Sequence, residues 1–369
     1  MKRSFALCAA VLLLLSFTGA EGYCGESWPM FRGNAARTGM ASLPPQSQYR
    51  VEGDVTWQIN VSGAIQSSPA VSNGVVYFGS NDGNLYAVSA VNGRTLWTFD
   101  TGNWISSSPA AAGGLIIFGS YDSKVYAVSA LDGRLKWQFT THSSVASSPA
   151  AADGRVYFGG VDGNVYAVDL STGWQKWSYK AGREVYGSPA VSDGVVYIGN
   201  HDGKMMAIDG ATGRLKWRAI VGGPITACPA VSGGMLYFGS WDGKLYTADI
   251  KNQAVIRTYD SGGSVESSPL VYGGRIFFGN IKGTMTALDA ASGRVLWTAE
   301  TGARIASSPA LRDGYIFFGN DNGSIYALDA ASGRVLWQIE TEGSVASAPA
   351  AGPSAVFVTA MDGALRCIR

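Results

Sequence analysis

The chain has 369 residues and near-balanced charge, with 28 Lys plus Arg against 27 Asp plus Glu and only 15% of residues charged. It carries no basic stripe, so the electrostatic footprint of a nucleic-acid partner is missing. Glycine is abundant at 49 residues, but it recurs at regular turn positions, unlike the scattered glycine of a disordered segment.

In chain order, residues 1–20 read as a signal peptide. Lys2 and Arg3 precede an apolar run from Phe5 to Phe17, and Thr18-Gly19-Ala20 offers small residues for cleavage. The run falls short of the roughly 20 apolar residues of a membrane span, so the mature chain is expected outside the cytoplasm with no transmembrane segment. An uncleaved anchor is the alternative. Tyr23 stands where a lipoprotein signal has a small residue before its cysteine, which argues against lipidation of Cys24. The mature chain keeps Cys24, Cys228 and Cys367, an odd number. Cys228 and Cys367 fall at repeat positions otherwise held by small residues, so buried thiols are expected there.

After a lead-in over residues 21–53, a 40-residue period runs through 54–369. Proline recurs at 69, 109, 149, 189, 229, 269, 309 and 349, within text such as Ser67-Ser68-Pro69-Ala70 and Ser147-Ser148-Pro149-Ala150. A fixed period of this length marks units that bury their apolar faces only against their neighbours. Within one unit, four short segments alternate with Asn73-Gly74, Asp82-Gly83 and Asn92-Gly93, which is hairpin chemistry. The unit is therefore a four-stranded antiparallel meander.

The recurrent proline cannot donate to a ladder, so its strand lies at an edge, at the crowded centre of the array. The second segment (Val75-Val76-Tyr77-Phe78, Arg275-Ile276-Phe277-Phe278) is nearly continuous in apolar residues, as in a strand covered on both faces. Thr56-Trp57-Gln58-Ile59 matches fourth-segment text with no first three segments before it. The chain stops at Leu365-Arg366-Cys367-Ile368, after a third segment. The expected fold is all-β: an eight-bladed β-propeller of four-stranded antiparallel blades, closed by the N-terminal strand pairing with the C-terminal blade. Closure brings the chain ends together, so a Cys24–Cys367 bridge is open to test.

Between the third and fourth segments runs Ala167-Val168-Asp169-Leu170-Ser171-Thr172-Gly173, followed at Trp177 by the tryptophan. It recurs as 207–217, 287–297 and 327–337, with Ser89 and Ser129 at the Asp position in two further copies. The pattern resembles the tryptophan-docking repeat of the PQQ-like (pyrroloquinoline quinone) β-propellers, which include quinoprotein dehydrogenases and BamB-type outer-membrane assembly factors. The stretch Trp28-Pro29-Met30-Phe31-Arg32-Gly33 is similar to the lead-in of secreted members. The resemblance implies that Trp57, Trp97, Trp137, Trp177, Trp217, Trp297 and Trp337 dock on neighbouring blades and are structural. One junction departs from the pattern, with Gln253 in the Gly position and Arg257 in the Trp position. Drift or a partner contact would account for it, and Arg257→Ala is expected to cost far less than Trp177→Ala.

Selectivity must lie where repeats differ. Two variable loop sets share one end of the strands, and their richest arc is Arg183, Glu184, Tyr186, His201, Trp241, Glu266, Lys282 and Arg304. Mixed charge with aromatics suits a polar ligand or a peptide surface. Reaction machinery is thin: two His residues, no Cys-x-x-Cys-His motif and no adjacent Cys pair. Asn320-Asp321-Asn322-Gly323 sits where a hairpin turn belongs, so it is read as a turn and no metal site is expected. The expected function is a non-catalytic, extracytoplasmic protein-binding or assembly scaffold without a cofactor, with an envelope or secreted protein as partner. The alternatives are a dehydrogenase using PQQ and a sugar- or ligand-binding propeller.

Overall fold

A computed structural model describes residues 30–39, 51–352 and 355–369. The segment read as a signal peptide, Cys24 and Trp28 lie outside them. The described residues form eight four-stranded antiparallel sheets with no helix. In the first blade the strands run from the centre outward as Ala70–Ser72, Val75–Gly79, Asn84–Ser89 and Thr95–Asp100. Six further blades repeat this order at 40-residue intervals. The eighth combines Ala350–Ala351, Val356–Thr359 and Ala364–Ile368 with an outer strand from the start of the array, Val55–Asn60.

Ring closure is a register of backbone pairs. Trp57 lies opposite Cys367 and Ile59 opposite Leu365. The Gly53 and Asp54 N–H groups donate to the Arg369 carbonyl at 3.0 and 2.9 Å, and the Arg369 N–H returns a bond to Asp54 at 2.9 Å. Cys367 is a buried free thiol; its proposed partner Cys24 is outside the described residues.

There is no single core. Apolar residues pack in layers between blades, because alternate side chains of each second and third strand face opposite neighbours. One layer joins Ile117, Val125, Ala127 and Trp137 to Val156, Phe158, Tyr166 and Val168 of the next blade. This explains why the second strands are nearly continuous in apolar residues. Glycine permits the closest approaches: a Cβ on Gly79 would stand 2.1 Å from Ile105 Cγ2 of the following blade, and one on Gly133 would stand 2.7 Å from the Trp97 ring.

The tryptophans dock as expected at most junctions. The indole N–H groups of Trp97, Trp137, Trp177 and Trp297 donate to the carbonyls of Ala130, Leu170, Gly210 and Ala330 at 2.9–3.2 Å. Trp337 meets the lead-in instead, packing on Gly53 and donating to Val51 at 3.0 Å. Trp57 packs on Gly93, but its N–H is buried without a partner.

Arg257 corrects the sequence reading. It is neither drift nor a lost docking group: its stem packs on Gly293, and its guanidinium donates to Ala290 at 3.1 Å and Ala291 at 2.7 Å. The junction that does depart is the one before it, where Trp217 faces Gln253 rather than a glycine.

Candidate functional site

The eight inner strands surround an axial channel, and the lead-in closes one end of it. Carbonyls of Ala35, Ala36, Thr38 and Gly39 accept from the N–H groups of Val191, Val231, Val271 and Leu311, one in each of four successive blades. Two arginines lock this segment. Arg37 donates to the carbonyls of Ser148, Pro149 and Pro189 at 2.8–3.2 Å. Arg32 donates to Ser268, Pro269 and Pro309 at 2.5–3.0 Å. Both side chains are fully buried with carbonyl acceptors in place of an acid. Burial pulls the Arg32 pKa down to about 10, which still leaves it charged at neutral pH. The inner-strand prolines matter here: a proline has no N–H, but its carbonyl remains free to face the axis.

What remains is a blind cup of about 170 Å³ with Phe31 on its floor. Its wall is the ring formed by the residue before each proline. The N–H groups of Ser68, Ser108, Ser148 and Ser268 donate to the hydroxyls of Ser108, Ser148, Ser188 and Ser308 at 2.9–3.0 Å, and those of Cys228 and Ala348 donate to Ser268 and Ser68 at 3.0 and 2.8 Å. The ring is broken at Cys228 and Ala348, which offer no hydroxyl to the N–H groups of Ser188 and Ser308.

The variable residues stand around the open end, because in every repeat the turn after the second strand is tied to the loop leading into the first. The His201 N–H bonds Glu184 at 3.0 Å, Trp241 bonds Pro224 at 2.9 Å and Asp321 bonds Arg304 at 2.9 Å. The predicted arc lies at this end but resolves into two clusters. In the first, Tyr186, His201 and Trp241 stack edge to face at centroid separations of 5.7 and 5.4 Å. Trp241 is pinned by a 2.9 Å bond from its indole N–H to Thr226 Oγ1, on the lip of the cup. Tyr186 and Trp241 keep 39% and 41% of their surface exposed. Arg183 flanks them, 3.3 Å from Glu184 and 3.9 Å from Asp202. The second cluster is ionic. Arg304 bonds Glu266 closely and Asp321 at 3.1 Å, and Glu266 lines the cup. Burial opposes the charge on Arg304, but these two carboxylates outweigh it and hold its pKa above the usual value. Lys282 stands beside Gly262 and Gly263 and makes no ion pair with either cluster among the described residues.

Sequence reasoning missed Thr226, the floor residue Phe31 and the lining role of the serine ring. The repeated Ser-Ser before each proline was the available signal for the ring. Phe31 carried none, because its neighbours at the axis come from remote blades. Chemically, the cup offers hydroxyls, one carboxylate and a flanking aromatic ledge. No group of three His, Cys, Asp or Glu residues is placed to hold a metal among the described residues.

Residues 49–259, 223–310 and 282–368 match the protein family described as outer membrane protein assembly factor BamB. Among solved structures, BamB from Moraxella catarrhalis superposes with a TM-score of 0.76 at 18% identity, covering 86% of this chain and 99% of that one. The computationally designed Ika8 protein gives 0.76 at 20% identity, covering 84% and 97%. Quinohemoprotein alcohol dehydrogenase from Comamonas testosteroni gives 0.79 at 14%, covering 93% and 80%. At such identities the likeness is one of fold. No curated protein sequence matches the chain.

Proposed function

Since the chain belongs to the family described as outer membrane protein assembly factor BamB, we propose that it is a non-catalytic, extracytoplasmic scaffold that holds a protein partner at the open end of its channel. The observation that carries this reading is the pinned ledge of Tyr186, His201 and Trp241 beside the Arg304–Glu266–Asp321 cluster. Exposed aromatics fixed by their own neighbours lose little freedom on binding, and a paired arginine among them supplies direction. The rigid ring presents both without rearrangement.

The dehydrogenase alternative finds less support at the cup. PQQ is a flat quinone bearing three carboxylates, so its site must supply cations. The lining has Glu266 and hydroxyls but no Lys or Arg side chain, within about 170 Å³. These residues do not fit PQQ.

The test is capture of envelope proteins by the wild type and by the triple variant Arg183→Ala/Trp241→Ala/Arg304→Ala, with thermal melts to verify folding. Loss of a partner from the folded variant is expected. Retention of every partner overturns the assignment of this end, and dye reduction with added PQQ and calcium overturns the non-catalytic reading.

A further inference from the structure

The fourth and fifth blades meet differently from their neighbours, at the end of the strands opposite the cup mouth. At the other junctions a tryptophan, or Arg257, covers a turn glycine, and all of these but Trp57 also donate to a main-chain carbonyl. Here Gln253 replaces that glycine in a left-handed conformation, φ +55°. The Trp217 indole N–H makes no hydrogen bond to the Ile250 carbonyl among the described residues. A slot of about 190 Å³ is left, walled by Val195, Tyr197, Trp217, Leu236, Ile250 and Gln253.

Two donors that are satisfied at several other junctions have no protein partner among the described residues in this slot, the Trp217 indole N–H and the Tyr197 hydroxyl. The equivalents of Trp217 donate to turn carbonyls at Ala130, Leu170 and Gly210. The equivalents of Tyr197 do likewise, Tyr77 to Ala130 at 3.4 Å and Tyr157 to Gly210 at 3.2 Å. Tyr197 itself is 4% exposed, lines the slot and has no hydrogen-bond partner among the described residues. The residues carrying an indole N–H and a phenol hydroxyl thus line one slot with apolar side chains. Lys216 at the rim is already paired with Asp209 at 3.4 Å, so the slot presents little free charge.

We infer that the slot between the fourth and fifth blades binds a single aromatic ring bearing an uncharged hydrogen-bond acceptor. Size supports one ring: a cavity of about 150 Å³ accepts benzene, whereas sites for larger ligands start near roughly 300 Å³. The ring lies against Trp217 and Tyr197, and its acceptor takes the indole N–H or the phenol proton. A donor without a protein partner gains a hydrogen bond from the acceptor of the bound ring.

The test follows the Trp217 indole 15N–1H signal, assigned by its loss in Trp217→Phe, during titration with benzamide. N-acetyltyrosinamide forms the second arm, and tenfold tighter binding of either probe assigns the source as a free small molecule or a peptide-borne ring. Saturable, probe-dependent shifts of this signal are expected. Gln253→Gly lets Trp217 dock in the ordinary way and Val195→Phe fills the slot, so each weakens binding at least tenfold. Trp177→Phe, at a closed junction, leaves it unchanged. Absence of a saturable shift, or wild-type binding by both slot variants, overturns the proposal. Neither result bears on the cup mouth, which lies at the other end of the strands.

Discussion

Arg257 reaches the Ala290 carbonyl at 3.1 Å, and one blade further on Trp297 reaches Ala330 at 3.2 Å. Two side chains of unlike chemistry thus perform one structural task, covering a turn glycine and satisfying a turn carbonyl. Arg257→Ala removes two guanidinium bonds and a packed stem, so it should cost about 2 kcal/mol, within the usual range for bonds from a charged donor. Trp177→Ala empties a buried aromatic site and should cost about 3–5 kcal/mol. Urea unfolding of both variants checks the order; an Arg257→Ala variant as stable as wild type would refute the docking role.

The buried arginines of the lead-in give a sharper test. Arg37→Ala strips donors from the carbonyls of Ser148, Pro149 and Pro189, and buried acceptors left unpaired are costly. A loss of about 2–4 kcal/mol is expected, together with cleavage near residues 30–39 in limited proteolysis. Arg37→Lys keeps the charge but loses the fork, so it should fall between.

The broken serine ring predicts a gain. Cys228→Ser and Ala348→Ser each place a hydroxyl where the N–H of Ser188 or Ser308 has none, and should stabilise by about 0.5–1.5 kcal/mol. Higher melting temperatures would bear this out; an unchanged or lower melt for both would contradict the ring account. Burial pushes the Cys228 thiol up to about 11, so in the native protein it should resist maleimide at neutral pH and react only after unfolding.

The closing blade carries a pH dependence. Asp362 accepts from Arg366 at 2.6 Å, with both side chains largely buried. Burial alone would raise the carboxyl pKa; the Arg366 pair and the Ala364 N–H outweigh it and hold it below the ordinary value. A depressed folded value means the pair contributes its full stability above the unfolded carboxyl range, about 3.9, and loses it as pH falls through the folded value. Asp362→Asn leaves Arg366 buried without its partner and should cost about 3 kcal/mol near neutrality. Thermal melts of variant and wild type should converge below about pH 4, and a pH-independent gap would contradict this assignment.

Much of the fold was legible because the forces behind it are local or repeated. Hairpin glycines, edge prolines and apolar second strands state the blade, and the orphan strand at Trp57 states the closure. The variable arc around Tyr186, His201 and Trp241 was legible as a set, since each member occupies a repeat position whose end of the blade is known. Its division into an aromatic ledge and an ionic cluster was not, because side-chain direction at a turn depends on the neighbouring blade.

The 40-residue period determined the blade count, the strand order and the end at which variable side chains gather, since each depends on spacing and backbone chemistry alone. Tertiary structure decided the rest. Apart from the Phe31 carbonyl, which Arg37 reaches within the lead-in, the partners of Arg32 and Arg37 are main-chain carbonyls 111 to 277 residues away, and every residue has such a carbonyl, so no side-chain pattern marks them. Likewise Gln253 announced a departure, but only the packing between blades turned it into an open slot and left Arg257 docked in a closed junction.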